Sequence, residues 1–124
     1  MVARTRGVPL AVEGSLWSFP MLSFGEVRRV DGDVVVALHG ELAYVDWTAR
    51  LRTFLEEHYI ADGVRRIRLD LSDVSMLDLE GLATLIVVWK EAGRNGKALL
   101  VEGLDGQPLE KTRQTGLFEM LTSG

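Results

Sequence analysis

The chain has 124 residues, of which 47% are hydrophobic and 26% are charged, and its formal net charge is −4. This size and balance predict one folded domain with one core, and they exclude the disordered and fibrous classes. The sequence contains no cysteine and only two histidines, which excludes disulfide scaffolds and thiol catalysis and argues against a zinc site. A negative charge without a concentrated basic stripe argues against nucleic acid as a partner.

The N-terminal part contains prolines and glycines without clear periodicity. We interpret residues 1–22 as a loosely ordered extension that precedes a domain over residues 23–124. The apolar run after Arg4 and Arg6 is interrupted by Glu13, which is unlike a secretory signal. The sequence shows no apolar stretch long enough to cross a bilayer. We therefore expect a cytoplasmic protein without direct membrane insertion.

Two strands are predicted at the start of the domain. Residues 26–30 alternate weakly between apolar and polar side chains, and residues 33–38 form an apolar run typical of a buried strand. The intervening Asp31 and Gly32 are a strong hairpin signal. We expect these two strands to pair antiparallel.

A first helix is predicted after Gly40 breaks the strand pattern. Asp46 is suited to cap its N-terminus, and Gly63 follows its end. Its core-facing side chains, at helical spacing, are expected to be Trp47, Leu51, Phe54, Leu55 and His58. No serine or carboxylate is spaced to make His58 part of a catalytic triad.

The strand predicted over residues 64–71 alternates between apolar and charged side chains. The apolar ones are Ile67, Leu69 and Leu71, and the charged ones are Arg66, Arg68 and Asp70. Three charges on one side are incompatible with a sheet that is covered on both faces, so we expect helices mainly on one face. We also expect Arg68 and Asp70 to pair with each other.

A second helix is predicted over residues 79–92, with Gly93 closing it. Its inward face is expected to hold Leu82, Leu85, Ile86 and Trp89. Its outward face is expected to hold Glu80, Thr84, Val87 and Glu91, with Val88 at the margin. Apolar β-branched side chains between carboxylates are unusual on a solvated helix face, so this face is a candidate interface.

The remaining elements complete the predicted fold. They are a strand over residues 97–101, a helix over residues 108–114 with Pro108 in its first turn, and a short closing strand or coil over residues 117–121. Successive strand-helix-strand units pair in parallel through right-handed crossovers. The sequence therefore predicts an α/β single domain with a mixed four- to five-stranded sheet and helices mainly on one face.

An acidic loop that ends at Asp78 is predicted between the charged strand and the second helix. The carboxylates in and beside it are Asp70, Asp73, Asp78 and Glu80. They suggest a magnesium site or an acid-base pair. We favour structural roles, with Asp78 as a helix cap, Glu80 as a favourable charge in the first helical turn and Asp73 as a turn residue. We predict no metal, no cofactor and no catalytic residue.

Three hydroxyl groups lie in or near this loop. We expect Ser72 and Ser75 to satisfy backbone groups of the loop, and Thr84 to bond back to the preceding helical turn. Thr84 lies on the predicted outward face and is the best substitute phosphorylation site there, yet we expect it to stay unmodified.

Several stretches taken together resemble the STAS domain as found in bacterial anti-sigma-factor antagonists, over roughly Val27 to Met120. The matching stretches are VVVALHGEL at 34–42, IRLDLSDVSMLD at 67–78, GLATL at 81–85, Gly96 before a strand, and TGLF at 115–118. The resemblance implies a STAS-like fold, and it implies a binding module in place of an enzyme.

In that family, a serine directly after the aspartate that matches Asp78 is phosphorylated by the partner, a kinase-type anti-sigma factor. The unphosphorylated form binds this partner, so that the sigma factor is released. This chain has Leu79 at that position, a degenerate phosphosite that cannot accept phosphate. Ala43 likewise stands where many relatives have an aspartate. Glu80 is one residue further along and points elsewhere on the helix, so we do not interpret it as a phosphate mimic.

We therefore expect a bacterial regulator of transcription that binds a kinase-type anti-sigma factor without the serine switch. The expected partner-binding residues are Ser75, Asp78, Leu79, Glu80, Ala83, Thr84 and Val87. Two alternatives stay open, namely a subunit that docks on a transporter ATPase or a multi-STAS scaffold, and a small-molecule or lipid sensor. Whether the chain forms a homodimer also stays open.

Overall fold

The computed structural model describes residues 22–43 and 45–123, except for the side chains of residues 45–48. The extension predicted over residues 1–22 lies outside the described residues apart from Leu22, which is buried in the core. Within the described ranges, strands and helices follow one another with short connections.

One mixed sheet organises the chain, as predicted. Its strands are β1 (Ser23–Val30), β2 (Asp33–Leu42), β3 (Arg66–Leu77) and β4 (Ala98–Glu102), and they lie side by side in chain order. The first pair is an antiparallel hairpin, whereas β3 is parallel to both of its neighbours. The hairpin turns at Asp31, which has a positive φ of 56°. Aspartate is among the few residues that tolerate this conformation.

The helices are α1 (Val45–Tyr59), α2 (Leu79–Arg94), α3 (Gly106–Gln114) and α4 (Phe118–Ser123). The last one corrects the strand or coil predicted over residues 117–121. A strand would place Glu119 on the same face as Leu117 and Leu121. The helix separates them, because Leu121 is fully buried while Glu119 is exposed.

The helices pack mainly on one face of the sheet, as the alternation of β3 predicts. The fully or nearly fully buried strand side chains on that face are Val34, Val36, Leu38, Ile67, Leu69, Leu71, Leu99 and Val101. The helical side chains in the same cluster include Leu51, Leu55, Leu82, Leu85, Val88 and Leu121. Removing this apolar surface from water is the main favourable contribution to folding.

The opposite face carries a network of ion pairs. Asp33 lies 2.7 Å from Arg66 and 3.4 Å from Arg68, and Arg68 lies 2.9 Å from Glu102. The hydrogen bond from Arg66 is the main cause that lowers the pKa of Asp33. The predicted pair of Arg68 with Asp70 is wrong. Positions on flanking strands lie about 5 Å away, whereas the second residue along a strand lies about 7 Å away.

The packing of α1 agrees in part with the sequence. Leu51 and Leu55 are fully buried, and Phe54 stacks on Phe24 of β1 with ring centroids 4.3 Å apart. His58 is half-buried, and an edge of its ring contacts Phe54. The helix begins at Val45, one residue before the predicted cap. The side chains of that cap, Asp46, and of Trp47 lie outside the described side chains.

The first turn of α2 approaches the end of β2 very closely. A Cβ atom added to Gly81 would overlap the carbonyl oxygen of Leu42, and it would also crowd the side chain of Leu77. Only glycine allows a helix to lie this near to strand backbone. The contact fixes which side of α2 faces the sheet, so Leu82, Leu85 and Val88 are buried.

The other end of α2 corrects a prediction. Gly93 does not end the helix, which continues to Arg94 with Asn95 as its cap. The amide of Gly96 donates to the carbonyl of Gly93, and the amide of Lys97 donates to the carbonyl of Ala92. This pattern, with a φ of 76° at Gly96, is a Schellman turn. The glycine that ends the helix is therefore Gly96.

The two glycines of α2 allow a matched stability test. Gly81→Ala is expected to lower the free energy of unfolding by at least about 2 kcal/mol, because the new methyl group would clash with strand backbone. Gly93→Ala is expected to raise it by about 0.5–1 kcal/mol, because no atom lies within 4 Å of a Cβ there. Urea denaturation measures both. Effects of the same sign would contradict the close approach.

Candidate partner-binding surface

The acidic stretch before α2 is mostly strand, which corrects the predicted loop. Beyond Asp70, where pairing with β4 ends, β3 continues along β2 as far as Leu77. Val74 and Leu77 are buried in the core. The continuation is possible because β2 itself passes through Gly40, whose φ is 102°, and so supplies a pairing partner. Only Asp78 separates the end of β3 from α2.

Gln107 of α3 satisfies the edge of β3 that β4 leaves open. The Leu77 amide donates to Gln107 Oε1 at 2.7 Å, and Gln107 Nε2 donates to the Leu77 carbonyl at 2.9 Å. One side-chain amide thus occupies both backbone groups, as a neighbouring strand would. The clamp holds the residue directly before Asp78. No local pattern of residues predicts this contact, because the partners lie 30 residues apart.

Asp78 caps α2, as predicted. Its backbone is extended, with φ −97° and ψ −174°, and its Oδ1 accepts a hydrogen bond from the amide of Gly81 at 2.8 Å. Glu80 lies in the first turn, where a negative charge complements the helix dipole. Together these groups fix the direction in which the helix leaves the sheet.

The three hydroxyl groups make local hydrogen bonds. Thr84 Oγ1 donates to the carbonyl of Glu80 at 3.0 Å, which confirms the predicted bond to the preceding turn. Ser75 Oγ donates to the carbonyl of Gly40 at 3.4 Å, a long bond to the neighbouring strand. The backbone amide and the hydroxyl of Ser72 both donate to Asp70 Oδ1. The hydroxyl of Ser72 therefore binds a side chain, whereas a backbone group was predicted as its partner.

The carboxylates of this region are spread over different partners. Asp70 accepts from Ser72, Asp78 caps the helix, and Asp73 lies 3.1 Å from Nδ1 of His39 on β2. In the part of the chain that the structure describes, no three acidic or histidine side chains come close enough to hold a metal ion. The carboxylates are therefore held in separate structural contacts.

An apolar stripe runs along the exposed side of α2 and consists of Leu79, Ala83 and Val87. These residues are four apart, so they lie above one another on the helix surface. Leu79 is 67% exposed and Val87 37% exposed, and Ala83 is exposed as well. Met76, which is 39% exposed, lies at the end of β3 three residues before the stripe and was not predicted as part of this surface.

The predicted residues occupy different positions around this stripe. Glu80 is exposed beside it, Thr84 is half-buried, and Ser75 is exposed on β3. Two residues assigned to the outward face are misplaced. Val88 is fully buried, and Glu91 is half-buried and bonded to Arg52 of α1 at 2.6 Å. The sequence does not show where α1 packs against α2. The predicted outward face of α2 therefore included residues on the side that faces α1.

Among the described helices, none has the length and apolar character needed to span a bilayer.

Comparison with known proteins supports the architecture. Residues 26–123 match the STAS domain profile. The anti-sigma factor antagonist SpoIIAA in its unphosphorylated form superimposes with a TM-score of 0.65 at 16% identity, covering 77% of this chain and 83% of that one. The murine anion transporter Slc26a9 also gives a TM-score of 0.65, at 18% identity, covering 82% of this chain and only 19% of that one. These identities show a shared fold.

The Gln107 clamp generates a stability prediction. Gln107→Leu is expected to lower the free energy of unfolding by about 1–3 kcal/mol, because the amide and carbonyl of Leu77 lose their partners at a partly buried site. Gln114→Leu, on the exposed end of the same helix, is expected to change it by less than about 0.5 kcal/mol. Chemical denaturation with both variants measures the difference, and equal small effects would show that the clamp is dispensable.

Proposed function

The chain belongs to the STAS domain family, and from this premise we propose that it is a non-catalytic binding module that acts like an anti-sigma-factor antagonist. The proposed partner is a kinase-type anti-sigma factor in the bacterial cytoplasm. The proposed contact surface is the apolar stripe together with Ser75, Asp78, Glu80 and Thr84. This partner is proposed because of the resemblance to anti-sigma-factor antagonists. The stretch that ends at Asp78 and the glycine-containing start of α2 are the parts of the chain that show this resemblance.

The exposure of Leu79 is the single observation that supports this proposal best. A leucine that is 67% exposed directly after a helix cap contributes nothing to the core of its own domain. Burying such a side chain in an interface contributes roughly 1.5–3 kcal/mol. Its two neighbours in the apolar stripe extend this surface by two helical turns. A contiguous apolar patch with a charged rim is typical of a protein-binding site.

The same residue supports binding that does not depend on phosphorylation. Leu79 carries no hydroxyl group at the position where the family has its serine. The nearest hydroxyl on the helix belongs to Thr84, which is half-buried and donates to the carbonyl of Glu80. A phosphate there would have to displace this bond beside an existing carboxylate. The proposed interaction is therefore constitutive.

A second candidate is a subunit that docks on a transporter ATPase or on a multi-STAS scaffold. The similarity to the anion transporter Slc26a9 is a similarity of fold alone, and it is compatible with this candidate. A small-molecule or lipid sensor is a third candidate, and a homodimer is compatible with all three. Binding to a purified kinase-type anti-sigma factor, or its absence, separates the first candidate from the others.

The apolar stripe generates a binding prediction. Leu79→Lys and Val87→Lys are each expected to weaken binding to a purified kinase-type anti-sigma factor at least tenfold, or about 1.4 kcal/mol. The free energy of unfolding is expected to change by less than about 0.5 kcal/mol, because both side chains are exposed. Isothermal titration calorimetry and urea denaturation measure the two quantities.

Ile60→Lys is the matched control, because Ile60 is an apolar residue that is 77% exposed on another part of the surface. It is expected to leave binding unchanged. A loss of stability in Val87→Lys as large as its loss of binding would show that Val87 belongs to the core.

The degenerate phosphosite generates a second prediction for the same partner. After incubation with the kinase-type anti-sigma factor and ATP, the intact mass of the unmodified protein is expected to stay constant. Leu79→Ser is expected to gain the mass of one phosphate, because it places a hydroxyl at an exposed position next to the cap. Gain of a phosphate by the unmodified protein would overturn constitutive binding, and failure of both proteins to react would argue against a kinase-type partner.

A further inference from the structure

The second half of β1 is the least covered part of the sheet. All five residues from Glu26 to Val30 are exposed, and β1 pairs with β2 alone among the described strands. The helices leave this half of the strand uncovered, although Phe24 near its start stacks on Phe54 of α1. An uncovered strand edge presents unpaired backbone groups to which another strand can bind.

The opposite edge of the sheet is better protected. β4 has only five residues, which alternate between half-buried and buried, and Gln107 binds the backbone of Leu77 where β4 has ended. On β1, by contrast, the apolar side chains of Val27 and Val30 are 42% and 40% exposed. The edge of β1 is therefore the one that is open to a partner.

The hairpin determines which backbone groups of β1 are free. Its turn has two residues, so Val30 and Asp33 close it as a hydrogen-bonded pair. Hydrogen-bonded and non-hydrogen-bonded pairs alternate along an antiparallel ladder. The amide and carbonyl of Arg28 therefore bond to β2, whereas those of Val27 and Arg29 point outwards from the sheet.

Two opposite charges flank Val27 on the sheet face opposite the helices. Arg28 pairs with Val35, whose neighbours along β2 face the core, so the side chain of Arg28 points to the other face. Glu26 lies on the same face as Arg28, because its Oε1 is 4.0 Å from Nε of that arginine. Both side chains are more than half exposed, so this long ion pair within one strand contributes little to stability.

This arrangement of charges suits a second copy of the same strand. Two identical antiparallel strands are related by a two-fold axis, and the residue on that axis lies opposite its own copy. An axis at Glu26, Arg28 or Arg29 would place like charges opposite each other, which destabilises the pair. An axis at Val30 would lie where the strand ends. An axis at Val27 brings the two valines together and places each Glu26 opposite the Arg28 of the other copy.

We propose that the edge of β1 binds a second copy of this chain, antiparallel and with the two-fold axis at Val27. The outward amide and carbonyl of Val27 then exchange two hydrogen bonds with those of its copy. Two cross-strand ion pairs form between Glu26 and Arg28, and directly opposite positions are closer than positions two apart along one strand. The contact is small, so the dimer is weak. The proposal does not rest on the function of the apolar stripe, which lies on α2.

Sedimentation velocity of the full chain from about 10 µM to about 1 mM tests the dimer. A dimer that increases with concentration is expected. Hydrogen exchange at the Val27 amide is expected to slow as the dimer forms, whereas exchange at the Arg28 amide, which is already bonded to β2, is expected to stay constant. A monomer across the whole range would overturn the proposal.

Charge reversal tests the position of the axis. Glu26→Arg and Arg28→Glu are each expected to weaken the dimer at least about tenfold, because each places like charges opposite each other at two points. An equimolar mixture of the two variants is expected to form a heterodimer, since each variant supplies the charges that the other lacks. Native mass spectrometry identifies this heterodimer by its mass.

The matched controls are Glu110→Arg and Lys90→Glu, which make the same reversals at exposed positions of α3 and α2. Both are expected to dimerise like the unmodified protein. A dimer that the reversals on β1 leave unchanged would overturn the proposal, and so would a mixture of the two β1 variants that stays monomeric. Dissociation of the dimer by Leu79→Lys would also overturn it, because the interface would then lie on the apolar stripe.

Discussion

The close approach of Gly81 to the carbonyl of Leu42 is the contact on which the arrangement of this domain depends. It brings the first turn of α2 against the end of β2, where a side chain of any size would clash. Because a helix is rigid, one fixed contact near its start sets the orientation of every later residue. Leu82, Leu85 and Val88 consequently face the sheet, and the apolar stripe faces solvent.

Two further contacts keep that start of α2 in place. The carboxylate of Asp78 closes the first turn, and Gln107 holds Leu77 from the side where β4 has ended. The exposed Leu79 is therefore presented by a firmly held junction between strand and helix. A preorganised surface loses less conformational entropy on binding than a mobile loop does, which supports the proposed constitutive interaction.

Much of the fold could be predicted where the signal was local. The hairpin at Asp31, the one-sided alternation of β3 and the cap at Asp78 depend on neighbouring residues, and all three are confirmed. Predictions failed where a distant residue decided the outcome. Glu91 turned towards α1 because Arg52 lies there, and the stretch before Asp78 became strand because β2 continued beside it.

The sequence by itself determined which side chains stand at the junction between β3 and α2, because the identity of a residue does not depend on folding. It established that Leu79 follows the cap without a hydroxyl group and that no cysteine exists anywhere in the chain. Only the tertiary structure decided that Leu79 is exposed and that Gln107 completes the edge of β3. The physical reason is that burial and convergence are properties of elements packed together, and no stretch of chain specifies them alone.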